Sequence, residues 1–413
     1  MATNTILTPD MITKEALRIL HEKLTFLSKV NKQYDSSFAR EGAKVGSALR
    51  IRKPARFVTR NGPTLDVQDF VETNTTLTVE KQLGIDVEFS SEDLTMDLDS
   101  FSKQFIEPAM AQLASEIEAD ALTMIYNVGK TVYNNTELVW KDTVLAKARL
   151  DQQTTPKDNN RCMLIGSLHQ VSVLDDTKGL FQDSTKISQQ YVEGNIGQTA
   201  GAMWAVSDLM PNYETGTAGT AGNDSVASTA AQGATTLSLT IGNNETIKRG
   251  QVFTVADCFE IHPETKKVYP TLYQFTAIAD ATASGAGAIT VTVRDSGSDG
   301  LYTTASAVKN ERARANISKL PTAADAVTFI GAPSSVLPQS VTFHEDAFTF
   351  ATADLVLPKG TDMASREVME GISMRLVRDY DVQTDQFPAR FDVLYGYKML
   401  RDEYAARLVA PFQ

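Results

Sequence analysis

The sequence predicts an α+β fold, a mixed helix-and-strand body into which a smaller β domain is inserted. Three observations carry this. From Thr75 an alternating segment leads almost directly into a long helical stripe. Mixed helix and strand signals occupy 140–210 and return after Pro321. Between them lies a run of short strands with its own turn chemistry.

In the alternating segment, Leu77, Val79, Leu83, Ile85, Val87 and Phe89 hold the odd positions, and Thr78, Glu80, Gln82, Asp86 and Glu88 the even ones. A period of two turns one face to the core and the other to water. Beyond Asp97-Leu98-Asp99-Ser100, apolar residues recur at helical spacing as Phe101, Phe105, Ala109, Leu113, Ile117, Ala121, Ile125 and Val128. That stripe is enough for about seven turns. Pro108 falls inside it, and its missing backbone donor predicts a kink or a true helix start there. Long ribbons and rods are mechanical parts, so the first inference is a structural, self-associating protein.

Residues 1–40 read as an arm. Thr8 is a candidate cap, Pro9 suits the first helical position, and Asp10 complements the helix dipole. Ile12, Ala16, Leu20, Leu24 and Leu27 make one apolar stripe, which must dock on the chain's own body or on a neighbour. Residues 41–95 read as an extended β-hairpin, with Leu49 and Ile51 alternating with Arg50 and Arg52, and Arg60-Asn61-Gly62-Pro63 supplying the turn. Charge is segregated along it. Arg40, Lys44, Arg50, Arg52, Lys53, Arg56 and Arg60 face a single acid, Glu41, whereas 82–102 holds Asp86, Glu88, Glu92, Asp93, Asp97 and Asp99 with no base. Either run alone reads as a solvated face; both together point to docking between subunits. The candidate contact residues are Arg50, Arg52, Arg56 and Arg60 on one side, and Glu88, Glu92 and Asp93 on the other.

Further along, Thr143 to Leu150 and Leu168 to Leu174 read as helices and Cys162-Met163-Leu164-Ile165 as a short buried strand. The Gly-, Thr- and Ala-rich stretch from Thr215 to Gly222 reads as a flexible linker. Short strands follow at Leu237–Ile241, Gln251–Val255, Tyr273–Ile278 and Ile289–Val293, the spacing of a small barrel or sandwich. An insertion of this kind should fold alone.

Composition narrows the function. Hydrophobic residues at 42% and charged residues at 22% are ordinary for a soluble globular chain. A net charge of −12, from 51 acids against 39 bases, disfavours a general nucleic-acid binder. Two cysteines, Cys162 and Cys258, make neither a disulfide framework nor a zinc site and point to synthesis in a reducing cytoplasm. No signal-peptide layout opens the sequence, and no apolar run approaches the ~20 residues of a membrane span.

No enzyme class emerges. Gly129-Lys130-Thr131 lacks the earlier glycine of a phosphate-binding loop, Met124 standing in its place. The four histidines (His21, His169, His262, His344) share no metal spacing, and there is no Gly-x-Ser-x-Gly elbow. His344-Glu345-Asp346 reads as a helix start. The expectation is no catalysis and no cofactor.

Several blocks resemble the major coat proteins of short-tailed double-stranded DNA bacteriophages of the Salmonella P22 type. They are Ile6 to Leu17, Val30 to Asp35, Arg50 to Pro54, Lys248 to Val255, Val341 to Phe348, Val377 to Asp381, and Asp385 to Gly396. Their joint order over nearly the whole chain carries the resemblance, since none is a catalytic signature. It implies the tailed-phage capsid fold, shared with encapsulins and the herpesvirus capsid floor. On that fold 1–40 is the N-terminal arm, 41–95 the extended loop, and 96–139 the spine helix of the peripheral domain. The axial domain takes 140–213, the inserted β domain 214–328, and 329–413 completes the axial domain and returns to the peripheral one.

The function so implied is self-assembly into the pentamers and hexamers of an icosahedral head. The implied partners are the chain itself, a scaffolding protein, a portal protein and packaged DNA by non-specific proximity, with no membrane. The implied location is the virion, after assembly in the host bacterial cytoplasm. An encapsulin-like cargo compartment and a surface adhesin or glycan-binding β protein are the alternatives.

Overall fold

The computed structural model describes residues 9–34, 47–68, 74–90, 105–177, 197–294, 300–381 and 386–412. The chain forms two compact units. The first takes Met1–Leu49, Thr76–Leu122 and Phe348–Lys398; the second takes Arg50–Thr75, Thr123–Ala347 and Met399–Gln413.

In the first unit a six-stranded sheet runs in the order Asn31–Tyr34, Phe348–Ala353, Gln386–Met399, Ile372–Arg378 and Met363–Met369, with Lys81–Ser90 added along the long Gln386–Met399 strand. Asn31–Tyr34 pairs parallel to Phe348–Ala353. Lys81–Ser90 pairs antiparallel over ten positions, from Ser90 opposite Gln386 to Lys81 opposite Tyr395. The Pro9–Lys23 helix packs on the Glu107–Leu122 helix and on the Met363–Met369 strand. Ile12, Ala16, Leu20 and Leu24 are buried, so the amphipathic stripe docks on the chain's own body. Pro9 is its first residue, as expected; Thr8 lies outside the described residues.

The long helix is shorter than its stripe. It covers Glu107–Leu122, 16 residues, and continues as a 3-10 turn over Thr123–Asn127. Pro108 is the second residue of the α-helix, which follows a π-helical stretch at 105–106, and falls in the first α-helical turn, where proline is best tolerated. Glu80 separates two strands, Asn74–Val79 and Lys81–Ser90, where the alternation alone suggested one ribbon. Thr75, Leu77 and Val79 are buried and their neighbours exposed, as period two requires.

In the second unit a six-stranded sheet is ordered Thr131–Tyr133, Ala405–Val409, Gln339–His344, Arg161–Ile165, Ala202–Val206 and Gln198–Thr199. The Trp140–Gln152 helix contributes Ala146 and Leu150, and the Ser167–Thr177 helix Val173, to a core with Met163, Ile165 and Leu408. Trp140 stacks on Trp204 with ring centroids 5.8 Å apart. His344 ends a strand and Glu345–Ala347 forms a single 3-10 turn.

The inserted β domain is made of small sheets around its own apolar core. Ser225–Val226, Thr236–Thr240 and Ala288–Thr292 form one; Val268–Thr276, Val252–Ile261 and Val327–Phe329 form another; Thr246–Ile247 and Ala281–Thr282 form a third. Leu239, Ile247, Val255, Val291 and Ile317 fill the space between them, and Phe253 stacks on Phe275 at 5.4 Å. The stretch from Thr215 to Gly222 is not a loose linker. Ala218 and Thr215 are buried, the Gly216 amide donates to Gln251 Oε1 at 2.9 Å, and the Ala218 amide to the Thr246 carbonyl at 3.0 Å. A Cβ at Gly216 would stand 2.0 Å from that same carbonyl oxygen, so the small residues there serve close packing.

Candidate assembly interface

The extended segment rests on a two-stranded sheet of Ser47–Arg52 and Asn74–Val79. Its outer part, 53–68, contains no strand. Side chains hold it instead. The Val58 amide donates to Gln68 Oε1 at 2.9 Å, and Gln68 Nε2 donates back to the Val58 carbonyl. That amide group imitates one rung of a ladder. Arg60 Nη1 donates to the Gly62 and Thr64 carbonyls at 2.6 and 2.7 Å, closing the turn that the Arg60-Asn61-Gly62-Pro63 sequence predicts. The surface of this segment is apolar as well as basic. Phe57 is 64% exposed, Leu65 79% and Val67 73%.

The four candidate arginines have different fates. Arg50 and Arg52 are exposed. Arg60 is committed to its own turn. Arg56 Nη2 lies 2.8 Å from Glu403 Oε1, so this candidate already has an acid within its own unit. Nearby, Lys309 pairs with Asp66. Neither Asp66, Lys309 nor Glu403 stood out in the sequence, because an ion pair between distant segments leaves no periodic mark.

Of the acidic candidates, Glu88 is exposed on the Lys81–Ser90 strand, opposite Pro388. Asp86 on the same strand lies 3.6 Å from Arg390. Glu92 and Asp93 lie outside the described residues. Lys81, also on that strand, donates at 2.7 Å to Asp120, which accepts as well from Tyr395 and Tyr397 at 2.9 and 2.8 Å. Burial works against the Asp120 carboxylate, but these donors outweigh it and hold the group below the usual range.

The charges buried deepest are structural. Glu260 of the inserted domain pairs with Lys130 and, at 3.1 Å, with Arg149, and accepts from Thr271 at 3.2 Å. Burial alone would raise its carboxyl, yet Lys130 and Arg149 keep it below the usual range. Arg407 is fully buried, donates to the Gly250 carbonyl at 2.9 Å and lies over the Tyr213 ring; burial brings its pKa down to about 10. Both cysteines are buried thiols, and burial pushes Cys258 up to about 12, far from a reactive thiolate. Among the described residues no group of three or more His, Cys, Asp or Glu side chains could hold a metal ion, and no helix is long and apolar enough to cross a membrane.

Two compact units, a strand-rich body with a β insertion, and an extended segment carrying exposed cations and apolar side chains are the parts expected of a tailed-phage capsid subunit, the structural class that the family match carries. The chain belongs to the P22 coat protein family (gene protein 5), whose sequence profile matches residues 1–407. A search of curated protein sequences finds no match. Similar solved structures include one from Mycobacterium phage Che8, 10% identical over 93% of this chain and 90% of that one, with a TM-score of 0.44. The capsid of the cyanophage P-SCSP1u is 11% identical over 94% and 89%, at 0.45. A virus-like particle from Pyrococcus furiosus is 6% identical over 96% and 97%, at 0.40. As a member of that family the chain is a major capsid protein, a component of the virion that associates with copies of itself, and the encapsulin reading is not favoured.

Proposed function

We propose that this chain closes an icosahedral head of pentamers and hexamers around double-stranded DNA. It would do so in the host bacterial cytoplasm with a scaffolding protein and a portal protein. In the proposed division of labour, 1–40 is the arm, 41–95 the extended loop, 96–139 the peripheral spine and 214–328 an insertion on the axial domain, 140–213 with 329–413. The observation that carries this reading is the extended segment: Phe57, Leu65 and Val67 are largely exposed, and so are Arg50 and Arg52 at its base. Apolar area supplies the attraction to a neighbouring copy, and charge sets the register. Many weak contacts close a shell while leaving errors reversible. A net charge of −12 suits a shell that must not grip its DNA.

Arg50, Arg52, Arg56 and Arg60 remain the proposed basic contacts, with Glu88, Glu92 and Asp93 as the proposed acidic ones. Because Arg56 is held by Glu403, the perturbation falls on the two exposed arginines, Arg50→Glu with Arg52→Glu. Exposed pairs are worth only ~0.2–1 kcal/mol each, so subunit stability should hardly change. The concentration needed for assembly should rise, most at low salt where screening is weak. Electron microscopy of the protein expressed with and without scaffolding protein reads both claims. Only monomers under every condition would refute shell formation; unaltered assembly of the double reversal would refute the docking residues.

A further inference from the structure

A cavity of about 430 Å³ lies within the second unit, between the 53–59 segment and the region carrying Tyr273, Asn316 and Glu403. Six cations line it, Lys53, Arg56, Lys130, Arg294, Arg314 and Arg401, against three acids, Glu264, Asp402 and Glu403. Three positive charges are in excess. Including Glu260 and Arg149 behind the wall adds one of each sign and leaves that excess in place. Lys130 and Arg294 have side chains only 10% and 14% exposed, so their charge acts through a poorly screening wall.

Two of the cations face acids in the lining. Arg294 pairs with Asp402, and Arg56 with Glu403. Burial would raise the Asp402 carboxyl, but Arg294, a hydrogen bond from Glu403, Lys53 and Lys130 hold it well below the usual range. Glu403 moves the other way, raised by burial and by the charge of Asp402 against the opposing pull of Arg56.

We propose that this cavity binds a small multivalent oxyanion, a di- or triphosphate group in particular. Its volume is in the ~300–1,000 Å³ range of small-ligand sites. Guanidinium forks with two amines match several phosphate oxygens in a compact space. A concave site with a net excess of one sign focuses the field on such an ion. Since Lys53 and Arg56 belong to the extended segment, an occupied cavity also ties that segment to its own subunit.

The test uses the full-length unassembled subunit at matched ionic strength, titrated calorimetrically with tripolyphosphate, with ATP and with a short single-stranded oligonucleotide. One-to-one saturable binding of tripolyphosphate is expected, with ATP binding through the same groups and the oligonucleotide failing to saturate the site. Lys53→Gln and Arg314→Gln, made separately so that one folding failure leaves the other informative, should each weaken binding about tenfold or more. Tripolyphosphate should also slow tryptic cleavage after Arg56 in the natural protein. Binding that is unsaturable, unchanged in both variants, or reproduced by sulfate or by the oligonucleotide alone would overturn the proposal.

Discussion

Removing the charge of Glu260 while keeping its shape, by Glu260→Gln, should be among the most damaging single changes in the second unit. Its side chain is 1% exposed, against 10% for Lys130 and 22% for Arg149. Breaking a buried pair from one side costs about 3–5 kcal/mol, because the partner's charge is left desolvated. Arg149 is exposed enough to recover some hydration, and Lys130 keeps its position 5.1 Å from the Tyr273 ring centroid, which favours the lower end. At ~2 °C per kcal/mol for a unit of this size, the melting temperature should drop by about 6 °C. Urea unfolding of the unassembled subunit measures the loss. Lys130→Met together with Glu260→Gln should recover part of it, since the lone charge is gone. The acid limb supplies a second readout. A carboxyl held low in the folded state stabilises above its unfolded pKa of ~4.3, and this is lost as pH falls through the lower folded value. The variant should lack that part of the slope. A loss below ~0.5 kcal/mol with an unchanged acid limb would show that the three charges are hydrated and that the pairing does not hold the inserted domain.

Glu118 is 2% exposed and accepts from the Thr25 and Phe26 amides at 2.7 and 2.9 Å, so Glu118→Ala orphans two donors at the entry to the Leu27–Lys29 turn and should cost about 2–4 kcal/mol; full stability in denaturant would refute this. His169 is buried between Ser340 Oγ at 2.8 Å and the Ala410 carbonyl at 3.1 Å, and burial lowers its pKa. Its contribution is therefore complete above ~6.5 and lost as pH falls through the lower folded value, at up to ~1.4 kcal/mol per pH unit, a slope that His169→Gln should abolish in pH-dependent unfolding. Gly250 has φ +87°, and a Cβ there would come within 2.6 Å of the Tyr126 ring. Gly250→Ala should thus lose at least ~1–2 kcal/mol from the backbone alone, and a variant as stable as the parent would refute both the backbone strain and the clash with the ring.

What the sequence made legible was whatever repeats. The arm helix was readable because Ile12, Ala16, Leu20 and Leu24 return on one face, and the inserted strands because Leu237, Leu239, Ile289 and Val291 alternate with polar residues. The same signal overextended the spine. Met124, Ile125 and Val128 are buried beyond Leu122, and a 3-10 turn can bury the same residues that an α-helical stripe would. Composition misread the Thr215–Gly222 stretch for a different reason. Gly, Ala and Thr are what a flexible linker needs, and also what a backbone needs to approach another backbone closely.

The site divides along the same line. Clusters of like charge are local in sequence, so the basic 50–60 run and the acidic residues around Glu88 were visible at once. Partnerships are not local. Arg56 meets an acid 347 positions away, Lys309 meets Asp66, and Glu260 meets Lys130 and Arg149 from another part of the chain. A basic run read without its partners looks uniformly available, yet its members differ: Arg60 closes a turn and Arg56 neutralises Glu403, while Arg50 and Arg52 remain exposed. An assembly contact needs charge that is not already spent within the subunit, since a pair exchanged for an equivalent pair returns almost no net free energy. The apolar side chains of Phe57, Leu65 and Val67 differ in kind, because covering them removes largely exposed apolar area from water. On the proposed docking, the driving force would come from the three apolar residues, with Arg50 and Arg52 choosing the register, and salt should alter the rate and fidelity of assembly more than its final extent.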